Sequence, residues 1–348
     1  MTNGRPDITV VVATLNRAAL LAEMLQSLAQ QQTRQEFTYE VVVVDNGSTD
    51  ETGAQLRRLA ASYPVRLTAL VERQLGKPAA LNTGIATSEG RIVVVTDDDV
   101  VADPTWLLAL WHCFRETEAG AVGGRVMPLW VDGRPEWLTD HLMGHLGTLG
   151  CLNFGSSRIV LSEGPDKYWV VGSNIAVRRE VVERLGGFDV RRLRGEDIEL
   201  FNRYRREGVK VVYEPEAVVH HRVGKERLTP VYFRAWYEAA GRYRAYGMPW
   251  RPHHLITLMP LYGYRELLRW TRLYWKTSGS PDSAWERLGY ECRARGWLST
   301  LRQRVLLWPR WCLTVLTGRS CMPSEFRSAS AFSRFSKAVP TSSTERSC

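Results

Sequence analysis

"DITVVVATLNRAALLAEMLQSLAQQ", residues 7–31, is the stretch whose reading decides the fold. Its first part is a β-branched run with no polar alternation; its second brings Leu20, Leu21, Met24, Leu25 and Leu28 onto one side at helical spacing. That is a strand followed by an amphipathic helix. The same pair returns as "YEVVVVDNGS" with "TDETGAQLRRLAASY", as "VRLTALVE" with "GKPAALNTGIATSEG", and as "RIVVVTDDD" with "DPTWLLALWHCFRE". Strands too apolar to have a wet face, alternating with helices, predict a mainly parallel sheet covered on both sides. In such sheets ligands bind beyond the carboxyl ends of the strands. Thr14, Asn16, Asp45 and the run Asp97, Asp98, Asp99 all fall at such ends.

The chain has 348 residues, 44% hydrophobic and 24% charged, enough for one large or two modest cores. Its formal charge of +9 is unevenly spread. Residues 1–221 hold 24 Lys and Arg against 29 Asp and Glu, a net of −5; residues 222–319 hold 18 against 6, a net of +12. The basic part is suited to phosphates, of nucleic acid or of lipid headgroups. Six scattered cysteines without a C-x-x-C or a zinc spacing read as reduced thiols of a cytoplasmic protein. The first residues lack the pattern of a secretory signal, and stretches such as "VLLWPRWCLTVL" are too short or interrupted to span a bilayer. Residues 128–166 show no clear period and read as an insertion or loop region. The stretch from 229 to 317 reads as helical, with Trp, Tyr and Arg interleaved, and the Ser-rich end as disordered.

Three adjacent carboxylates repel one another, so the aspartates need a cation or a ligand's donors. In an extended segment Asp97 and Asp99 project to one side and can share an ion, Mg2+ or Mn2+, that also bridges a diphosphate. The plainer reading is an acidic start to the helix after Pro104. Asp45 stands where an acidic side chain in a doubly wound sheet accepts hydrogen bonds from a nucleotide, or it opens an Asx turn; both can hold. No G-x-G-x-x-G follows the first strand and no P-loop is present, which leaves a dinucleotide cofactor and a nucleotidyltransferase unsupported.

With these motifs the chain resembles a family 2 glycosyltransferase of the GT-A fold. "VVVATLNR" and "EVVVVDNGSTDET" are similar to the family's first two strand ends, and "VTDDDV" to its metal-binding DXD motif. "GSNIAVRRE" is similar to its acceptor-side segment and "GGFDVRRLRGEDIELFNRYRREG" to its catalytic ED region. The resemblance covers residues 7 to about 222, in shared order. It implies an α/β, Rossmann-like, mainly parallel sheet flanked by helices over 1–222, followed by a helical extension over 223–318 and a tail over 319–348. It further implies that Thr14, Asn16 and Asp45 contact the nucleoside of a sugar donor, a UDP-sugar first, with Lys77 near its base or phosphates. Asp99 is then a direct metal ligand, Asp97 a ribose or metal contact, and Asp98 shares either role. Asp197 becomes the base and Glu196 orients it or touches the acceptor; taken alone, the pair is an acidic first helical turn.

Transfer needs one carboxylate to take the acceptor proton and a cation to meet charge on the departing diphosphate. No second carboxylate is evident as a nucleophile, which argues for inversion. His220 and His221 end a strand and point opposite ways, so one of them can complete a metal shell or touch the diphosphate; a structural role is equally open. Gly172, Ser173 and Asn174 are expected to wall the sugar and acceptor pocket. Trp169 packs in the core or stacks on a sugar, and Arg178 and Arg179 are solvated or approach phosphate. The basic extension equally fits single-stranded nucleic acid and helices on an anionic membrane surface, with packing onto the catalytic domain as the plain alternative; the resemblance, to bacterial-type enzymes that often act on polyprenyl-phosphate-linked acceptors, favours the membrane surface at the inner face of the cell membrane. The acceptor is then a hydroxyl, of a lipid-linked glycan or a growing polysaccharide. A noncatalytic adaptor on an inactive nucleotide-binding domain is the competing class.

Overall fold

The computed structural model describes residues 5–147, 149–164, 169–192, 194–247, 258–277 and 283–317. The tail expected to be disordered lies outside them. The described chain forms two compact units. One comprises residues up to Leu129 with Gly150–Arg222, and the other Trp130–Leu149 with the residues from Val223 onward.

The first unit is built on the strand and helix pairs read from the sequence. Strands β1 (Ile8–Thr14), β2 (Tyr39–Asp45), β3 (Leu67–Val71) and β4 (Ile92–Asp97) lie parallel in the order β3-β2-β1-β4. Helices α1 (Ala18–Ala29), α2 (Thr52–Ala60) and α3 (Lys77–Thr87) connect them, and α4 (Trp106–Glu116) follows β5 (Val100–Ala102). Beyond β4 the sheet continues through β8 (Ile175–Arg178), which leads into α6 (Arg179–Leu185), then β6 (Ala121–Trp130), β9 (Val211–Val223) and β5, while β7 (Ile159–Val160) pairs with β9. In this half the pairings β4–β8, β6–β8, β5–β9 and β7–β9 are antiparallel.

Alternation along each strand divides the core. Val10, Val12, Val41, Val43 and Val94 pack with Leu21, Leu25, Trp106 and Leu110 on one face. Val11, Val42, Val44, Val93 and Val95 pack on the other with Leu81, Leu200, Phe201 and Tyr204, from α3 and α7 (Glu196–Arg206). Both faces are therefore dry, and this is why the strands read as unbroken apolar runs.

Residues 128–166 are more ordered than their missing period suggests. They hold the end of β6, the helix α5 (Asp140–Leu146), a bridge from Val126 to Leu152, and β7. Thr139 caps α5 by accepting from the Leu142 N–H at 3.2 Å.

In the second unit three helices, Pro230–Gly247, Leu261–Lys276 and Ala284–Thr317, pack with α5. The first and last approach closely enough that a side chain on Gly241 would strike the Gly296 carbonyl. Trp137 stacks on Trp285 at 3.6 Å, and His145 Nε2 lies 2.9 Å from the Glu286 carbonyl oxygen. Much of the interleaved Arg and aromatic content is spent internally. Arg244 lies over Trp297 at 4.2 Å, Arg287 over Tyr274 at 4.3 Å, and Arg293 over Trp270 at 5.0 Å.

Candidate active site

The carboxyl ends of β1, β2 and β4 gather two groups of charged side chains. β4 ends at Asp97, and the chain turns through Asp98 and Asp99 before β5. The alternation that would send Asp97 and Asp99 to one side is therefore broken, and Asp98 and Asp99 share a partner instead. Arg17 Nη1 donates to Asp98 Oδ1 at 2.7 Å and to Asp99 Oδ2 at 3.1 Å, and Thr14 Oγ1 donates to Asp98 Oδ2 at 2.8 Å. Both carboxylates are buried. Burial pushes Asp98 up to about 6 against the pull of Arg17. Burial works against the Arg17 charge too, but Asp98 and Asp99 outweigh it and hold the guanidinium more firmly protonated than usual.

On the far side of Asp99 stands His221, buried on β9, with Nε2 3.5 Å from Asp99 Oδ1. The register that pairs Val100 with His221 sets this approach. His220 pairs with Val101 and projects from the other face of β9. The Asp99 carboxylate is a hard oxygen donor that suits Mg2+ or Mn2+, while the His221 imidazole is a softer donor that Mn2+ accepts more readily than Mg2+. Among the described residues no three His, Cys, Asp or Glu side chains converge on one metal position. An ion held here would draw its other ligands from diphosphate oxygens and water, as these cations commonly do. Asp97 is not part of this pair, because its carboxylate is engaged elsewhere.

That second group is Lys77, Asp97, Glu196 and Asp197. Lys77 opens α3 directly after Gly76, whose φ of +130° is open to glycine. Asn46 fixes the approach: its Oδ1 accepts the Gly76 N–H at 2.7 Å, and its Nδ2 donates to the carbonyls of Gln74 at 2.8 Å and Glu72 at 3.1 Å. The Lys77 ammonium pairs with Asp97 Oδ1 and lies 3.9 Å from Glu196 Oε1. Asp197, in the first turn of α7, accepts the Gly172 N–H on Oδ2 at 2.9 Å and the Ile198 N–H on Oδ1 at 2.8 Å. Burial, reinforced by the neighbouring Asp197 charge and opposed by Lys77, pushes Glu196 up to about 7; burial raises Asp197 as well. The pair titrates as a unit.

Asn16 and Asp45 knit the two loops at the mouth. Asn16, at φ +53°, accepts the N–H of Thr49 at 2.7 Å and of Asp50 at 3.3 Å, and donates its own N–H to Ser48 Oγ at 2.9 Å. Asp45 Oδ1 accepts the Ser48 N–H at 2.8 Å, three residues on rather than the two of an Asx turn, and so closes the loop after β2. A β-carbon on Gly53 would come within 2.9 Å of Asp45 Oδ2.

The expected pocket wall divides. Gly172 reaches Asp197, but Ser173 and Asn174 are fully buried behind it. Asn174 accepts from Trp106 Nε1 and donates to the carbonyls of Arg125 and Ala217, all at 2.9 Å, so both its amide hydrogens are used inside the protein. Trp169 is 41% exposed, with Phe154 edge-on at 5.8 Å, and is not a core residue. Arg178 donates to the carbonyls of Ala119 and Phe114, and Arg179 to the Gly90 carbonyl and Ser88 Oγ; both brace backbone rather than reach a ligand. Sequence reasoning missed Arg17, Asn46 and Gly53. Arg17 stands in "ATLNR" beside the residues it did single out, where it passed for the start of a helix.

The model of glycosyl transferase family 2 matches residues 9–186. The O-antigen biosynthesis protein RfbC of Myxococcus xanthus is 29% identical over 275 residues, 73% of this chain and 21% of that protein. The glycosyltransferase AglE of Haloferax volcanii is 28% identical over 222 residues, 64% of this chain and 68% of that one. The chain thus spans about a fifth of the first of these relatives. Among solved structures, the mannosyltransferase PcManGT from Pyrobaculum calidifontis, in complex with GDP-Man and Mn2+, is 22% identical. That likeness covers 97% of this chain and 86% of that one at a TM-score of 0.48.

Proposed function

The chain belongs to glycosyl transferase family 2, and from that premise we propose that it moves a sugar from a nucleotide diphosphate sugar, a UDP-sugar first, onto a hydroxyl of a lipid-linked glycan or growing polysaccharide, with inversion at the anomeric carbon. The observation that carries this reading is the meeting of Lys77, Asp97, Glu196 and Asp197 at the sheet's carboxyl end, continuous in sequence with the Asp99–His221 pair. Asp197 is the base that takes the acceptor proton. Its two backbone donors hold the carboxylate in one orientation, and burial keeps its proton affinity above that of an exposed aspartate. Glu196 orients the acceptor, and Lys77 turns from Asp97 toward the diphosphate when the donor enters.

Asp45 and Asn16 face the nucleoside, and Thr14 acts through Asp98. Asp99 and His221 would hold Mg2+ or Mn2+, which when bound takes up charge on the departing nucleotide diphosphate. No helix among the described residues is long and apolar enough to cross a membrane. The surplus charge after residue 222 fits contact with an anionic membrane surface on the cytoplasmic side, where a lipid-linked acceptor is within reach. A panel of nucleotide sugars, assayed for nucleotide diphosphate release with and without Mg2+ or Mn2+, tests the reaction class. Release that needs both acceptor and metal is expected; turnover unchanged after exhaustive chelation would overturn the metal assignment.

A further inference from the structure

We propose that the outward face of the helix Leu261–Lys276 is the surface that seats this protein on an anionic bilayer. The inference rests on the membrane reading above and assigns the contact to particular side chains. The helix turns an inner face to its own unit: Gly263 lies against the Trp297 ring, and Trp270 stacks near Tyr290 at 6.0 Å with Arg293 over its ring. Its outer face is left to solvent. Leu261, Leu268 and Trp275 are 68%, 69% and 73% exposed, among the most exposed large apolar residues described.

These three residues fall at intervals of seven. At ~100° per residue each step of seven drifts by only ~20°, so they form one seam running ~21 Å along the helix. Arg272 and Arg265 follow at about 40° and 60° from Leu268, then Lys276 and Arg269 at about 80° and 100°. All four cations are exposed. The one acid in the helix, Glu266, lies beyond them, 3.6 Å from Arg269. The face is thus an apolar ridge beside a cationic band, the arrangement of a helix lying in the plane of a membrane interface. A helical protein partner would want two apolar rows, three and four residues apart. Here the positions that would form the second row hold Tyr264 with Arg265 and Thr271 with Arg272. The last helix repeats the pairing with Leu298, Arg302 and Val305 on its exposed side.

Cosedimentation of the full chain with vesicles of phosphatidylcholine, alone or mixed equally with phosphatidylglycerol, tests this. The wild type should pellet with the mixed vesicles and weaken as salt rises. Arg265→Ala with Arg272→Ala should lower partitioning roughly 30-fold at low salt, from ~1 kcal/mol per cation near an anionic surface. Leu268→Ser with Trp275→Ser should lower it at low and high salt alike. Val71→Ser, at a residue 65% exposed on β3, should leave it unchanged. Circular dichroism and nucleotide affinity should match the wild type in every variant. Pelleting of both double variants at wild-type levels would overturn this face and leave the membrane reading standing. No pelleting of the wild type would overturn both. Dimers that Leu268→Ser disperses, without a change in pelleting, would assign the seam to a second copy and overturn the proposal.

Discussion

Asp197 combines two opposing influences: backbone donors that favour its ionised form and burial that disfavours it, with burial prevailing. Asp197→Asn keeps the shape and removes the proton acceptor, so transfer should fall by roughly 10²- to 10⁴-fold while the affinity for UDP with Mn2+ stays as in the wild type. Turnover and isothermal titration, run side by side, check both halves. The pH profile follows from the sign of the shift. Burial raises both carboxyls, and the Asp197 charge raises Glu196 further, to about 7, so Asp197 ionises first and Glu196 keeps its proton until pH climbs through about 7. Activity should therefore show two pH-dependent steps, an acid limb where Asp197 takes up its proton and a step near pH 7 where Glu196 does, and Glu196→Gln should remove the step near 7 while leaving the acid limb in place. A step near pH 7 that survives Glu196→Gln would contradict that assignment. A third expectation concerns space: Gly53→Ala puts a β-carbon within 2.9 Å of Asp45 Oδ2, so Asp45 must shift. UDP affinity should drop about tenfold, the order of one lost hydrogen bond to a charged group, in the same titration.

At the scale of elements, α3 holds the two halves of the catalytic face together. Its Asn82 accepts the Phe188 N–H and donates to the Phe188 carbonyl, both at 2.8 Å, and so pins the "GGFD" turn that precedes α7. Asn82→Ala leaves backbone groups there without partners and should cost about 1–3 kcal/mol in urea unfolding, with a larger loss in turnover than in donor affinity. The strands β1, β2 and β4 were legible because burial on both faces writes itself as continuous valine and isoleucine. The antiparallel half was not, since β5 has three residues and β7 two, and their pairing with β9 joins positions more than fifty residues apart. The helix α5 was missed because seven residues are too few to show a period, although its Thr139 cap was visible in the sequence. The site divides on similar lines. The residues at strand ends could be named from motifs, but the partition of the three aspartates could not. It depends on a turn at Asp98 and Asp99 and on the reach of Arg17 from another loop. The choice between His220 and His221 likewise waited on the register of β9 against β5.

Over the whole molecule, charge is segregated by sequence: −5 over residues 1–221, where the site lies, and +12 over residues 222–319. The exposed Arg265, Arg272 and Lys276 are hard to explain as packing aids, because the arginines that do pack have aromatic rings or acids as partners, as Arg244 has Trp297 and Arg234 has Glu291. The charge of these three, on the helix Leu261–Lys276, acts at a distance and is screened by salt. Chemistry at Asp197 is buried and screened far less. Raising salt from low concentration to about 1 M, where the screening length shrinks to ~3 Å, should therefore raise KM for a lipid-linked acceptor embedded in anionic vesicles. With a short soluble acceptor bearing the same sugar, KM and kcat should hardly move over the same range. Equal loss with both acceptors would mean that salt acts on donor or metal binding, and the division of labour between the acidic and basic parts of the sequence would then fail.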